Sequence, residues 1–565
     1  MEFIQRKTAD RAVNHFLLKA ADQEITVAWD RFEGQLPECG FCESGLSCRD
    51  CLQGPCISHP FRGQSKLGVC GKGKDVLAAQ SLLRLVLKGT MSYLDQLNDF
   101  VNQVRAGAIE PTDKDQTAQT LKAIMDLLHT GNSAVAGEFS ASQLEGWKTA
   151  GIMPKGIAND VFKASQCLEG GISDMEETLL WSFKTALLGG MAARLQYQLK
   201  VAVFGSAAAS ELEVNLGVLK KDGPIALLYG PLSPVLKQKI AQAAQEKNVN
   251  IMGVCTDPLL PPYRFFPVTT YVSQEIPLMT GAVDLIVAGS QFVNPSLASV
   301  AKDWKVAVVP TDGLDQDTEP DALAQKIVVQ AAQAFEVRKN ITRDIPMVKE
   351  SAVMGYSAAQ VDINKIVKAL EGGKIKGIAI LAGSNNVKYT QDEVLVSIAK
   401  QFLAEDILCI SDGDASVSLA KYRLLDPARR DKDCGDGVKE LLASLGENIP
   451  SVIDWCMTDF LLALVAAGSK TLADYPICAY FPEASRTAEV TKAMWTVAMG
   501  VSTYFWPCLP VTGSAKTRQA LSDFCQQKFG AKLHVVTQKI DARTKAGLFL
   551  NKIDAPAAMS GKPWE

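Results

Sequence analysis

The chain is poor in histidine. It has four, His15, His59, His129 and His534, too few and too scattered for a histidine-rich metal site. Long apolar runs are also missing: no stretch reaches the roughly 18 residues a membrane span needs. Charge of one sign does not dominate either. A formal charge of −4 and a pI near 5.8 argue against nucleic acid or an anionic membrane as partner. The opening residues Met1-Glu2-Phe3-Ile4-Gln5-Arg6-Lys7 are charged at once and carry no apolar core. The expectation is therefore no signal peptide and a cytoplasmic location. At 565 residues the chain has room for two to four domains, each with its own core.

Cysteine is what the chain does have, fourteen in all. In a large chain without a secretion signal this points to metal or redox chemistry rather than to disulfides. Six fall between Cys39 and Cys70. The others are Cys167, Cys255, Cys409, Cys434, Cys456, Cys478, Cys508 and Cys525, spread along the rest.

Periodicity divides the chain. Residues 1–38 read as helix, the cysteine loop follows, and helical apolar spacing runs from about Asp75 to Ala208. From about Gly223 short buried strands alternate with helices: Ile225–Tyr229, Ile251–Cys255, Leu285–Ala288 and Val306–Pro310. The alternation restarts after a polar helix near Asp362–Glu371, with Gly377–Ala382, Ile407–Ile410, Ser451–Asp454, Ile477–Tyr480 and Leu533–Val536. This predicts an α/β chain: a helical domain over 1–220 with its cluster loop at 39–70, then α/β domains over 221–370 and 371–565. In such sheets ligands sit at the carboxyl ends of the strands, which here carry Tyr229, Cys255, Ser384, Asp414 and Cys456.

The strongest motif is Cys48-x2-Cys51-x4-Cys56-x13-Cys70. Four thiolates on a glycine-punctuated loop suit a [4Fe–4S] cluster, because four cysteines are its usual ligands. A four-cysteine zinc site is the alternative, although zinc more often uses two separated Cys-x2-Cys pairs. Cys39 and Cys42 are left over. Two thiolates cannot fill a cubane, but a two-fold axis beside them would supply two more from a second copy; a structural thiol pair is the plainer reading. Cys255, Cys456, Cys478 and Cys508, with Cys409 as a further candidate, could converge on another metal site. Lone cysteines on apolar strands are more often small buried hydrophobes. Asp412, Asp414, Asp454 and Asp459 could supply acid–base chemistry or a cation site, but such aspartates commonly cap helices after a strand. Tyr93 and Tyr229 are proton donors only if they face a cavity.

Several motifs resemble those of anaerobic nickel–iron carbon monoxide dehydrogenases, within the hybrid-cluster-protein superfamily. They are Trp29-Asp-Arg-Phe-Glu-x-Gln-x-Pro-x-Cys39-Gly-Phe, Cys48-Arg-x-Cys-x-x-Gly-Pro-Cys56 and Gly68-Val-Cys-Gly. The resemblance continues through Ile276–Asp284, Met354-Gly-Tyr-Ser, Gly383-Ser-Asn-Asn, Ile407–Lys421 and Pro482-Glu-Ala, nearly the whole chain. It implies a helical N-terminal domain, two Rossmann-like domains and a homodimer. It also implies a relay [4Fe–4S] cluster on Cys48, Cys51, Cys56 and Cys70, a cluster shared between subunits, and a buried nickel–iron–sulfur cluster that converts CO to CO2. At the shared cluster the family's second cysteine is Ser47 here, and Cys42 replaces a glycine, so the pair is expected to hold a shared [4Fe–4S] or [2Fe–2S] cluster.

At the active-site cluster this chain departs from the resemblance. The expected histidine turn reads Tyr229-Gly-Pro-Leu; three cysteine positions read Phe292, Ser384 and Asp414; Cys255 and Cys456 are kept. The family's His-x-x-His is Tyr93-Leu-Asp-Gln, and its lysine falls near Thr487 or Ala488, with Lys492 the nearest. Phenylalanine offers no lone pair and serine is a poor thiolate substitute at a soft metal. The expectation is an iron–sulfur redox protein that passes electrons to a ferredoxin-like partner, with the nickel–iron–sulfur site altered or lost, acting on another small substrate. The rivals are a non-catalytic electron-transfer or scaffold subunit docked to an enzyme, and a genuine CO dehydrogenase.

Overall fold

The computed structural model describes residues 6–59, 66–129, 137–169, 174–311, 319–468 and 471–535. Two long helices form the helical part, α1 (Lys74–Arg105) and α2 (Met175–Phe204). On α1, Leu82, Leu83, Val86, Leu97, Phe100 and Val104 recur at helical spacing and are buried. α2 is buried nearly all round, as its apolar sequence requires, and its first turn is capped by Asp174, which accepts the Glu177 amide.

Two parallel sheets follow. The first contains β1 (Ile225–Tyr229), β2 (Asn250–Val254), β3 (Phe266–Thr269), β4 (Leu285–Ala288) and β5 (Ala307–Pro310), in the order β5-β4-β1-β2-β3. The second contains β6 (Gly377–Leu381), β7 (Ile407–Ser411), β8 (Val452–Asp454), β9 (Ile477–Phe481), β10 (Ser502–Phe505) and β11 (Leu533–Val535). Its order is β8-β7-β6-β9-β10-β11. Both reverse direction beside their first strand, so each has a topological switch point, β1/β4 and β6/β9, where ligands bind in sheets of this kind. Strands β1, β6 and β7 are buried throughout, as expected of sheets covered on both faces. Three further helices shape the site: α3 (Asp414–Lys421), α4 (Met457–Ala467) and α5 (Thr487–Ala498). Among the described residues no helix is long and apolar enough to cross a membrane.

Three expectations need correction. The opening helix is broken into Arg11–Asp22 and Ala28–Glu33. Glu24 turns to a positive φ of 55° and the β-branched run Ile25-Thr26-Val27 interrupts the helix. Strands β3 and β10 fall outside the periodicity reading; β3 is an edge strand containing Pro267. An antiparallel ribbon, Ser210–Val214 with Glu350–Met354, was not foreseen and frames the first α/β unit. Val536 and the N-terminal residues 1–5 lie outside the described residues.

Candidate functional site

In the cysteine loop, Ser47–Cys48 and Cys56–Ile57 pair as an antiparallel ribbon with Cys48 directly opposite Cys56. Cys48, Cys51, Cys56 and Cys70 line one small cavity, together with Gly54, Gly68 and Lys72. The loop packs closely at Gly54, where a Cβ would sit 3.4 Å from the carbonyls of Cys48 and Cys51. The Val69 amide donates to the Cys56 sulfur at 3.5 Å, the kind of N–H···S contact that stabilises thiolate. Asp50 is gripped by Arg84, Nε to Oδ1 at 3.0 Å, and approached by Lys72 at 3.7 Å, so two cations border the thiols. Burial pushes the Cys48 thiol up, with Asp50 adding to it. Among the described residues, no three His, Cys, Asp or Glu side chains gather around one point as a single ion requires. The loop thiols instead surround a shared space, a donor set that fits a polynuclear cluster.

Cys39 caps the short helix Gly40–Glu43, Cys42 lies within it, and both are exposed. Backbone donation from the Cys42 amide holds the Cys39 thiol below the ordinary range. The Ser47 hydroxyl donates to the Cys42 sulfur at 3.4 Å. Residues 42 and 47 therefore serve the same spot, and a sulfur can reach it from either position.

At the carboxyl ends of the sheets the loops meet. Cys255 follows β2 at a positive φ of 55° and Phe292 follows β4 at 59°. Asp414 opens α3, accepts a backbone hydrogen bond from Tyr271 and faces the Cys255 thiol. Burial raises both the Asp414 carboxyl and the Cys255 thiol, and Asp414 further raises Cys255. Arg486, which precedes α5, lies 4.6 Å over the Phe292 ring, and its charge acts on both Cys255 and Asp414. Its Nε donates to Glu489 Oε1 at 3.0 Å, while Glu489 Oε2 accepts the Ser485 and Arg486 amides at 2.8 and 3.1 Å. Ser384, after β6, has a buried hydroxyl with no hydrogen-bond partner among the described residues.

The other candidates sort differently. Cys456 opens α4 beside the Asp412–Lys492 ion pair, and burial pushes its thiol up to about 11. Tyr229 is buried and donates to the Gln274 carbonyl at 3.0 Å, so it packs rather than offering a proton to a cavity. Tyr93 donates to the Ala488 carbonyl at 3.3 Å, within the field of Lys492 and Arg486. The capping reading of the aspartates is corrected. Asp412 pairs with Lys492; Asp454 accepts from the Gly355 amide at 2.7 Å and the Ser416 hydroxyl at 2.5 Å; Asp459 accepts from Arg194 and Trp455 at 2.9 and 2.8 Å. Convergence of Cys478 and Cys508 with Cys255 and Cys456 is corrected too. Cys478 lies near the amino end of β9, in register with Ala379, whereas the site lies at the carboxyl ends. Cys508 instead contacts Thr512 and the Leu509 carbonyl. Cys409 is the small buried hydrophobe its apolar strand implied.

Sequence reading missed Arg486, Glu489, Tyr271 and Glu483. The available signal was position: Pro482–Arg486 follows β9 at the second switch point. Glu483 joins a buried network in which Asn385 Nδ2 donates to Glu483 Oε2 at 2.8 Å and to Asp392 Oδ1 at 3.0 Å. Lys421 bridges Asp392 and Asp10 at 2.5 and 3.1 Å. Burial, then the Asp392 charge, pushes the Glu483 carboxyl up to about 8. An unfolded glutamate titrates near 4.3, so between these values the folded protein keeps a proton that the unfolded chain has released. Stability is then full below about pH 4 and falls as pH rises toward 8, by on the order of 5 kcal/mol for this group. Urea unfolding at pH 5.5 and 8.5 should show that Glu483→Gln flattens this loss; an unchanged slope would contradict the assignment. Asp454, pushed up to about 7 by burial, adds a smaller loss of the same sign.

A family model described as "Prismane/CO dehydrogenase family" matches residues 46–134 and 108–539. The chain is 28% identical to "Carbon monoxide dehydrogenase 2" of Carboxydothermus hydrogenoformans, over 99% of both chains. It is 27% identical to "Carbon monoxide dehydrogenase 1" of Methanosarcina acetivorans, over 97% of both. The solved structure "Carbon Monoxide Dehydrogenase IV from Carboxydothermus hydrogenoformans" superimposes with a TM-score of 0.90 at 25% identity, covering 98% of this chain and 100% of that one.

Proposed function

The chain belongs to the Prismane/CO dehydrogenase family, and on that basis we propose an iron–sulfur redox protein whose CO-oxidising site has given way to a pocket for another small substrate. The observation that carries this is Arg486 lying over Phe292 with its charge acting on Cys255 and Asp414. A fixed cation and an aromatic ring stand among the positions that resemble cluster ligands, leaving the two thiols Cys255 and Cys456. Two thiols do not supply the ligands a large nickel–iron–sulfur cluster needs.

Cys48, Cys51, Cys56 and Cys70 would hold a [4Fe–4S] cluster, which supplies one-electron transfer when bound. The chain's own contribution there is the Val69 amide at Cys56 and the cations Lys72 and Arg84, which favour the reduced, more negative state. Cys39 and Cys42 would hold half of a [4Fe–4S] or [2Fe–2S] cluster shared in a homodimer. The exposed apolar side chains Leu36, Leu52, Leu67 and Val69 around this loop support burial against a second copy. The reading places the protein in the cytoplasm, where thiols stay reduced for ligation, with a ferredoxin-like carrier as electron partner.

The test is iron, sulfide and nickel per chain after purification without oxygen, with CO-dependent viologen reduction on the same sample. About six iron atoms, or five with a shared [2Fe–2S] cluster, and no nickel or CO activity are expected. Roughly four or more extra iron atoms with stoichiometric nickel and CO oxidation would restore the family's usual chemistry.

A further inference from the structure

The loops at the carboxyl ends of the two sheets have an unused hydrogen-bonding capacity of one kind. Arg486 commits only its Nε, to Glu489. Among the described residues its two terminal nitrogens bond to nothing, and the side chain keeps 15% exposure. The Glu489 charge is already answered by the Ser485 and Arg486 amides and by the amino end of α5, so it does not consume the rest of the guanidinium. Two further polar atoms in these loops are buried without a partner, the Ser384 hydroxyl and Asp414 Oδ2. Both residues are more than nine-tenths buried, at 4% and 6% exposure. Buried polar groups without partners are costly, and a site that keeps them in place is one that a ligand completes.

We propose that this pocket binds a small carboxylate, held by the terminal nitrogens of Arg486 and by the Ser384 hydroxyl. The geometry argues for this class. The guanidinium fork is planar and presents two parallel N–H donors that match a carboxylate's two oxygens. Stacking on Phe292 at 4.6 Å fixes the plane of the fork and leaves its edge to the ligand. The Ser384 hydroxyl is a further donor. The two switch-point loops are stapled to each other, Ser485 Oγ to the Asn385 carbonyl at 2.7 Å and Asn386 Nδ2 to the Ala484 carbonyl at 2.7 Å. Ser384 and Arg486 are thus held in fixed relation before any ligand arrives. This assignment rests on the reading above that no nickel–iron–sulfur cluster occupies the pocket.

Isothermal titration of the anaerobically purified full-length protein with sodium formate and sodium acetate tests it. One site per chain is expected in the wild type. Arg486→Met should weaken binding at least about tenfold, Arg486→Lys should fall between because lysine offers a point charge rather than a fork, and Ser384→Ala should weaken it about threefold or more. Equal iron content and circular dichroism establish that the variants are folded; should Arg486→Met fail to fold, Arg486→Lys and Ser384→Ala carry the comparison. Absence of binding by both anions up to about 50 mM, an affinity too weak for a charge-assisted fork, overturns the proposal. So does binding that is unchanged in the variants. Metal content of the same sample separates the two failures: nickel with extra iron defeats the functional reading, whereas a nickel-free protein that binds neither anion defeats only the carboxylate assignment.

Discussion

Cys51→Ala is expected to remove about four iron atoms per chain and the dithionite-bleachable visible absorption that accompanies them, because a cubane needs all four thiolates. Cys51 shares its cavity with Cys48, Cys56 and Cys70, and the loop carries no fifth described sulfur or imidazole among the cavity's lining residues. Serine at 51 would do little better, since a hydroxyl is a weak donor to a soft iron–sulfur core. A second thiol supplies the comparison. Cys409 is wholly buried on β7, with its sulfur against the carbonyls of Ala399 and Ile407. Cys409→Ala should keep all of the iron and lower only stability, through the cavity it leaves. Iron and sulfide assays on both variants decide the matter; full iron in Cys51→Ala would remove the loop from the cluster. Loss of the relay should also stop electrons reaching an external acceptor, so the effect on any redox activity would be near total.

Gly89→Ala should be a strongly disruptive single-methyl change in the helical part. A Cβ on residue 89 would lie 2.3 Å from the Thr487 carbonyl and 2.3 Å from the Thr491 hydroxyl. Thr491 is itself committed, donating to the Val86 carbonyl at 2.8 Å. The obstructing carbonyl is backbone and cannot rotate away, so α1 and α5 must separate. Alanine gains about 1 kcal/mol of helix propensity over glycine, but overpacking of this kind costs more, and a net loss of about 2–3 kcal/mol is expected. Gly146 provides the contrast: nothing lies within 4 Å of a Cβ there, within the helix Ala141–Thr149. Gly146→Ala should therefore be neutral or stabilising by up to about 1 kcal/mol. Urea midpoints for the two variants, measured side by side, test the claim, and a Gly89→Ala protein as stable as Gly146→Ala would refute it. The consequence reaches the pocket, because the first turn of α5 follows Arg486 and contains Glu489. Displacing that turn moves the guanidinium off Phe292, so Gly89→Ala should also impair whatever Arg486 binds.

Most of the scaffold was legible in the chain. Buried runs such as Ile225–Tyr229, Gly377–Leu381 and Ile407–Ser411 can only be strands covered on both faces, because nothing in them suits water. The spacing of Cys48, Cys51, Cys56 and Cys70 brings four thiols together locally, within a loop whose glycines allow the turns, so long-range folding had little left to decide. Local signals were weakest where strands were short or at an edge, as at Phe266–Thr269, and where a helix broke at Ile25–Val27.

The pocket was another matter. Strand periodicity put Cys255, Ser384 and Asp414 at the carboxyl ends of strands, but nothing in the sequence set Arg486 over Phe292 beside them. What each aspartate would do was equally hidden. Asp459 meets Arg194 across 265 positions and Asp412 meets Lys492 across 80, so their charges answer partners that the sequence leaves far away. Motif positions alone could say which ligands were missing from the resemblance. That Arg486 fills the space, held by stacking on one sheet's loop and by a carboxylate on the helix it precedes, depends on two switch points being brought face to face. The amino-acid sequence by itself determined the strands, the helices and the cysteine loop, because those rest on neighbours within a few turns of chain. Only the tertiary structure decided the pocket, because its chemistry arises from side chains that burial and sheet order press together.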